Sequence, residues 1–220
     1  MNIIGLVGFI GSGKGTVGDI LEQNGYWKES FAAGVKDTTA QMFNWDRYLL
    51  EGDTEYSRIF RETPCPYWSA KFGRDFTPRE ALQRIGTEVG RDVFHSDFWV
   101  MDLEKRLQDP FYYESGDKFV ITDVRFPNEI EWIKKQGGKI YEVQRGSIPE
   151  WYNKLQQCET DDFKNIMMVG EDIHYSEWAW VGCNIDGLIK NNGTLKDLTK
   201  EVERVIMCKH NVIGDNNETV

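Results

Sequence analysis

Residues 8–16 read GFIGSGKGT and follow directly on the apolar run Ile3–Val7. No other stretch limits the fold so tightly. Four glycines, a lysine and a threonine in nine positions match the phosphate-binding loop pattern Gly-x-x-x-x-Gly-Lys from Gly8 to Lys14, and the run stands between an expected strand and an expected helix, as that pattern requires. Gly8, Gly11, Gly13 and Gly15 are expected to let the backbone take positive φ and come close to a phosphate. Successive N–H groups and the start of the next helix then point at the anion. Read as a bare turn, the same loop would leave those N–H groups without partners. Lys14 is placed to reach the β- and γ-phosphates of a nucleotide.

Further along, short apolar runs alternate with helical periodicity: Ile3 to Val7 then Thr16 to Gln23, Phe119 to Thr122 then Asn128 to Gln136, Ile140 to Val143, and Ile185 to Ile189 then Leu195 to Met207. That rhythm specifies an α/β chain with a parallel sheet covered on both faces. Two segments break it. Residues about 37 to 110 are too long for a crossover and carry two helix-like stretches, Arg79 to Val93 and Phe98 to Leu107, after a part rich in Trp, Tyr and Phe, so they read as an inserted, substrate-holding region. Residues about 146 to 178 lack strong periodicity and read as a mobile, lid-like flap. Asn211 to Val220 are polar and read as a frayed end.

With 26 Lys+Arg against 36 Asp+Glu, the net charge of −10 speaks against a broad nucleic-acid or anionic-lipid surface. Phosphate must be gripped locally. Cys65, Cys158, Cys183 and Cys208 have neither zinc nor disulfide spacing. No stretch approaches the roughly 18 apolar residues of a membrane span, and nothing at the start resembles a targeting peptide. A cytoplasmic protein is expected.

A second site is needed to choose among loop-bearing classes, and several stretches offer one. FAAGVKD (31–37) follows a strand-like segment and is expected to set Lys36 at a helix start, near an acceptor phosphate. TPREALQRIGTEVGRD (77–92) spaces Arg79, Gln83 and Thr87 four residues apart along one helical face, with Gly86 beside them. ITDVRFPNE (121–129) ends a buried strand with Asp123 and Arg125 at the crest of the sheet, where ligands bind.

The ending GSGKGT, with Gly15 directly after the lysine and Thr16 next, looks like the nucleoside monophosphate kinases of the adenylate kinase type. Taken with LQRIGTEVGR and the following Phe98-Trp99, with ITDVRFPNEIEWIKKQGG, EVQR (142–145), HYSE (174–177) and IDGLIKNNGTLKDL (185–198), the chain resembles the bacteriophage deoxynucleoside monophosphate kinases over most of its length. That resemblance implies a three-layer P-loop kinase fold in one domain over residues 1–220: a central five-stranded parallel sheet with helices on both faces, a helical monophosphate-binding insertion and a lid. It implies ATP and Mg²⁺ as cofactors and a deoxynucleoside monophosphate as partner, allows a homodimer as in related enzymes while leaving the oligomeric state open, and places the protein in the host cytoplasm if it is phage-encoded.

Residue by residue, the resemblance assigns Gly11, Ser12, Gly13, Lys14, Gly15 and Thr16 to ATP, with Asn191 and Asn192 beside its base. It assigns Arg79, Gln83, Gly86, Thr87, Trp99, Asp123, Arg125 and Glu129 to the acceptor, to which Lys36 is added from its position. Lys14, Arg79, Arg125 and Arg145 form the expected convergent cations, Arg145 arriving on closure of the flap. Asp123 is assigned either to the water shell of Mg²⁺ or to the acceptor. No general base is required by a loose phosphoryl-transfer transition state.

Plainer readings stand beside these. Trp99 is as well suited to core packing as to stacking on a base. Glu129 suits the first turn of a helix, Thr194 suits an N-cap, and His174 reads as structural. Ser176 and Glu177 read as the start of a helix containing Trp178 and Trp180. The rival functions are another small-molecule kinase of this fold, such as a dephospho-coenzyme A kinase, and an ATP-binding protein that transfers nothing.

Overall fold

The computed structural model describes residues 2–111, 113, 114, 116–158, 160–168, 173 and 175–207. His174, Cys208 and the expected frayed end, Asn211 to Val220, lie outside the described residues. The chain begins with β1 (Asn2–Val7), α1 (Lys14–Glu22) and β2 (Tyr26–Glu29). A helical stretch follows: α2 (Ala32–Phe43), α3 (Glu55–Glu62), α4 (Pro66–Phe72), α5 (Pro78–Arg84), a π-helical run Ile85–Phe94, and α6 (Phe98–Leu107). The sheet then resumes with β3 (Lys118–Ile121), α7 (Pro127–Lys135), β4 (Lys139–Gln144), α8 (Glu150–Gln156), α9 (Asp161–Met168), β5 (Gly187–Lys190) and α10 (Leu195–Val202).

All five strands are parallel, in the order β2-β3-β1-β4-β5. β1 is central, and its run of five apolar residues is buried on both sides, as a parallel strand under two helical layers must be. Ile4 and Leu6 point into a core shared with Val17, Ile20 and Leu21 of α1 and with Leu198 and Val202 of α10. On the opposite face Gly5 leaves room for Ile140 and for Ile133 of α7, which a Cβ would strike. The three layers follow from that alternation. Each strand on the list of apolar runs is present, and β2 supplies the fifth. The last helical run ends its α-register at Val202 and continues as a π turn, Glu203–Met207.

The chain forms two compact units, Met1–Glu29 with Glu114–Val220, and Ser30–Tyr113. The first holds the sheet. The second is helical, with one core of Val35, Ile85 and Trp99 packed against Phe43, Leu82 and Phe98. In it Phe43 stacks on Trp45 and meets Trp68 and Phe76 edge-on or tilted, which accounts for the aromatic richness of the sequence there.

Three expectations of local structure are revised. The stretch Arg79 to Val93 is not one α-helix: it changes to π geometry at Ile85, so Thr87 does not continue the four-residue stripe of Arg79 and Gln83. Trp99 explains the change, because its indole N–H donates to the Gly86 carbonyl at 2.8 Å and its ring occupies the space a Cβ on Gly90 would fill. The segment 146–178 is also more built than a loose flap. It carries α8 and α9 and buries Tyr152, Leu155, Met168 and Trp178. Ser176 and Glu177 lie in a 3₁₀ turn, Tyr175–Glu177, not in a helix with the tryptophans.

Candidate active site

The phosphate loop leaves β1 at Val7 and enters α1 at Lys14. Gly8 has φ 140° and lies so close to the Val143 carbonyl that a Cβ would collide with it. Gly13 has φ 100° and serves as the N-cap, with the Asn191 amide where its Cβ would be. Both positions demand glycine. Gly15 differs from expectation: it lies within α1 and has no positive φ, and a Cβ there would meet nothing within 4 Å. The open space beside it, not its conformation, is what glycine provides.

Three observations test whether a nucleotide's phosphates fit this loop. The first turn of α1 has no acidic residue and no side-chain cap, so its N–H groups and positive dipole end are uncompensated. Ser12 Oγ is buried without a hydrogen-bond partner among the described residues. The Lys14 ammonium is held at the loop by the Gly8 carbonyl at 2.6 Å and the Phe9 carbonyl at 3.0 Å. An anion would satisfy all three. Burial first, and the nearby Arg125 charge second, bring the Lys14 pKa from 10.5 down to about 8, against the opposing pull of Glu177 and Asp123.

Phe9 turns its ring into an aromatic cage of Trp151, Tyr152 and Trp180, with centroids 5.4 to 5.5 Å away. Tyr152 donates to the buried Glu142 carboxylate at 2.7 Å, and Gln144 donates to its other oxygen at 2.7 Å. Burial and this hydrogen bond push the Tyr152 phenol well above its ordinary value. Sequence reasoning missed this role of Phe9. The signal was the pair of aromatic stretches EWYNKL and SEWAW downstream.

Past β3, Glu129 sits at the third position of α7 and accepts the backbone N–H groups of Arg125 (2.8 Å) and Phe126 (3.1 Å). It is 2 % exposed. In this position it fixes the loop that presents Arg125, as its reading as a first-turn helix acid expects. Arg125 Nη1 donates to Glu177 Oε1 at 2.9 Å and to Ser176 Oγ at 3.2 Å. Asp123 is half-buried two residues before it. Among the described residues no group of three or more His, Cys, Asp or Glu could hold a metal.

Asn191 donates through Nδ2 to the Ser12 carbonyl at 2.9 Å, tying the loop after β5 to the phosphate loop. Asn192 Oδ1 accepts the Gly146 N–H at 2.7 Å, tying it to the residue after Arg145. Thr194 and Asp197 form the capping box of α10, so the helix-cap reading of that loop holds. Arg145 is exposed and forms no ion pair with a described residue.

In the helical unit Lys36 lies in the second turn of α2 and not at its start. Its ammonium pairs with Glu51 at 2.5 Å, and Arg47 bridges Glu51 and Asp37. Burial opposes ionisation of Glu51, but Lys36 and Arg47 together hold its carboxyl below the ordinary range. Arg79 pairs with Glu62. Gln83 and Thr87 are exposed and Gly86 is half-buried. Trp99 is 4 % exposed and packs in the core of this unit, as the plainer of its two readings expects.

No protein-family profile matches the chain. Over 156 residues, 67 % of this chain and 76 % of the relative, it is 31 % identical to a putative deoxynucleotide monophosphate kinase of Acanthamoeba polyphaga mimivirus. Over 59 residues, 27 % of this chain and 22 % of the relative, it is 44 % identical to the deoxynucleoside-5'-monophosphate kinase of Escherichia phage T5. Among solved structures, dephospho-CoA kinase from Campylobacter jejuni aligns with a TM-score of 0.45 at 16 % identity, covering 96 % of this chain and 98 % of that one. Shikimate kinase from Aquifex aeolicus aligns with a TM-score of 0.40 at 14 % identity, covering 96 % and 99 %.

Proposed function

The chain belongs to the deoxynucleoside monophosphate kinase family, and we propose that it transfers the γ-phosphoryl group of ATP to a deoxynucleoside 5′-monophosphate. An oxygen of the acceptor phosphate attacks the γ-phosphorus, the bond to the β-bridging oxygen breaks, and ADP and a deoxynucleoside diphosphate leave. The acceptor phosphate is itself the anionic nucleophile, so the reaction needs no general base.

One observation carries the proposal: the loop ends at a helix start without a side-chain cap, with the Lys14 ammonium held at it by the Gly8 and Phe9 carbonyls, and the Arg125 charge acts on that ammonium. Two cations converging on an uncapped helix start are costly without a polyanion between them and useful with one. The backbone N–H groups of residues 11–16, the Ser12 and Thr16 hydroxyls and Lys14 would bind the ATP phosphates. Arg125 would neutralise charge on the group in transit, and Arg145 would add to it. Asn191 and Asn192 would border the ATP base while bracing the loop.

Asp123 would hold Mg²⁺ through its waters, and the ion would supply further neutralisation of phosphate charge. The acceptor contacts are assigned to Lys36, Arg79, Gln83, Gly86 and Thr87, with Asp123 as the alternative sugar contact. Lys36 and Arg79 would exchange their carboxylate partners, Glu51 and Glu62, for phosphate.

The test is ADP release measured over the four common deoxynucleoside monophosphates and dephospho-coenzyme A. Stimulation by at least one monophosphate and none by dephospho-coenzyme A is expected. If no monophosphate stimulates ADP release, the reading is wrong.

A further inference from the structure

The stretch Tyr175–Glu177 lies some fifty residues beyond Arg125 in sequence yet meets it in the sheet-bearing unit. We propose that Glu177 and Ser176 are positioning residues that hold one edge of the Arg125 guanidinium so that its other edge is presented to a phosphoryl group. This rests on the phosphotransferase reading above.

The geometry supports a jig more than a simple ion pair. Among the described residues Nη1 alone is engaged, shared between Glu177 Oε1 at 2.9 Å and Ser176 Oγ at 3.2 Å. Nε and Nη2 donate to no described residue, which leaves two N–H groups in the fork geometry that phosphate accepts. The arginine is also fixed at its root, because buried Glu129 binds its backbone N–H. Holding both ends of a long side chain removes rotamer freedom that would otherwise be lost on binding.

The 3₁₀ turn is anchored in its turn. Trp178 and Trp180, directly after it, are 4 % and 2 % exposed. Tyr175 meets Trp178 edge-on at 4.8 Å and Phe126, next to Arg125, at 5.8 Å. The Glu177 side chain is 22 % exposed against 41 % for Arg125, so the carboxylate lies inside and the guanidinium looks out. A surface ion pair with no further task has no need of such anchoring.

The Arg125–Glu177 pair, joined at 2.9 Å, also acts on the Lys14 ammonium. The charged groups acting on the Lys14 ammonium are Arg125, which lowers its pKa, and Glu177 and Asp123, which raise it. Removing the Glu177 charge therefore leaves Lys14 with Arg125 less opposed, and its proton is lost at lower pH.

The experiment compares Glu177→Ala, Glu177→Gln and Ser176→Ala with the wild type by steady-state kinetics and by pH-dependent labelling of the Lys14 amine, read by mass spectrometry. Glu177→Ala should lower kcat/KM by about tenfold or more through kcat or the acceptor KM, with the ATP KM within about twofold, and Ser176→Ala should act in the same direction more weakly. Glu177→Gln keeps an acceptor for Nη1 and should restore most of the rate, while the labelling midpoint of Lys14 moves to lower pH in both Glu177 variants. Wild-type rates and an unmoved midpoint in folded Glu177→Ala would overturn the proposal. The labelling arm needs no acceptor, so a shift there with no transfer in the wild type would sink the kinase reading and spare the coupling of Glu177 to the site.

Discussion

Lys14 carries its charge half-buried beside Arg125, and the resulting pKa of about 8 has opposite consequences for stability and for binding. The folded protein holds this proton less tightly than an unfolded chain, whose lysine titrates at 10.5. The charged lysine therefore costs stability fully below about pH 8, and the cost fades as pH rises from there to 10.5. Anion binding needs the charged form, so kcat/KM for ATP should fall above about pH 8, the pKa of the free enzyme. A profile flat to pH 10 would contradict that. Lys14→Met removes the buried charge and keeps the stem. It should raise the melting temperature of the ligand-free protein at pH 7 while cutting phosphoryl transfer by about two orders of magnitude or more. Calorimetry and the ADP assay on one preparation measure both.

At the scale of elements, the phosphate loop and the strands were legible because each is written locally: Gly8–Lys14 as a spacing, and Ile3–Val7 or Ile140–Val143 as unbroken apolar runs. The π register of Ile85–Phe94 was not, since its cause is Trp99, which reaches back thirteen residues to the Gly86 carbonyl. Nor was the meeting of Arg125 with Glu177, which only the folded sheet brings about. Glu129 was visible as a helix-start acid, and no local pattern distinguished a ligand contact from the cap it forms. Its replacement by Ala should cost on the order of 1–2 kcal/mol, because two N–H groups lose their acceptor. Phe9→Leu probes the link between the loop and α8. It trades three ring contacts for an aliphatic chain and should destabilise by about 1 kcal/mol while raising the ATP KM, because the Phe9 carbonyl that receives Lys14 loses its anchor. An unchanged ATP KM would mean that the cage serves stability alone.

For the whole molecule, the division into two compact units separates the residues assigned to the two substrates. Every proposed ATP contact, from Gly11 to Thr16 and at Asn191 and Asn192, lies in the sheet-bearing unit, whereas Lys36, Arg79, Gln83, Gly86 and Thr87 lie in Ser30–Tyr113. Each unit has its own core, so each can open locally with its own free energy, and a ligand suppresses chiefly the openings of the unit it contacts. Hydrogen exchange reads this directly. A non-hydrolysable ATP analogue should slow exchange in the loop 8–16, α1 and residues 190–193, and leave α5 and the π run nearly unchanged. A deoxynucleoside monophosphate that serves as acceptor should slow exchange in α2, α5 and Ile85–Phe94. At about a hundred times Kd the protection in each region should approach the ~2.7 kcal/mol that mass action allows. The net charge of −10 makes the second half of this pattern diagnostic, because an acidic chain offers a monophosphate no diffuse attraction, and protection of the helical unit then reports local cations such as Lys36 and Arg79. If the monophosphate protects only the sheet-bearing unit, the acceptor contacts assigned to the helices are wrong, and Asp123 and Arg125 must bear the recognition instead.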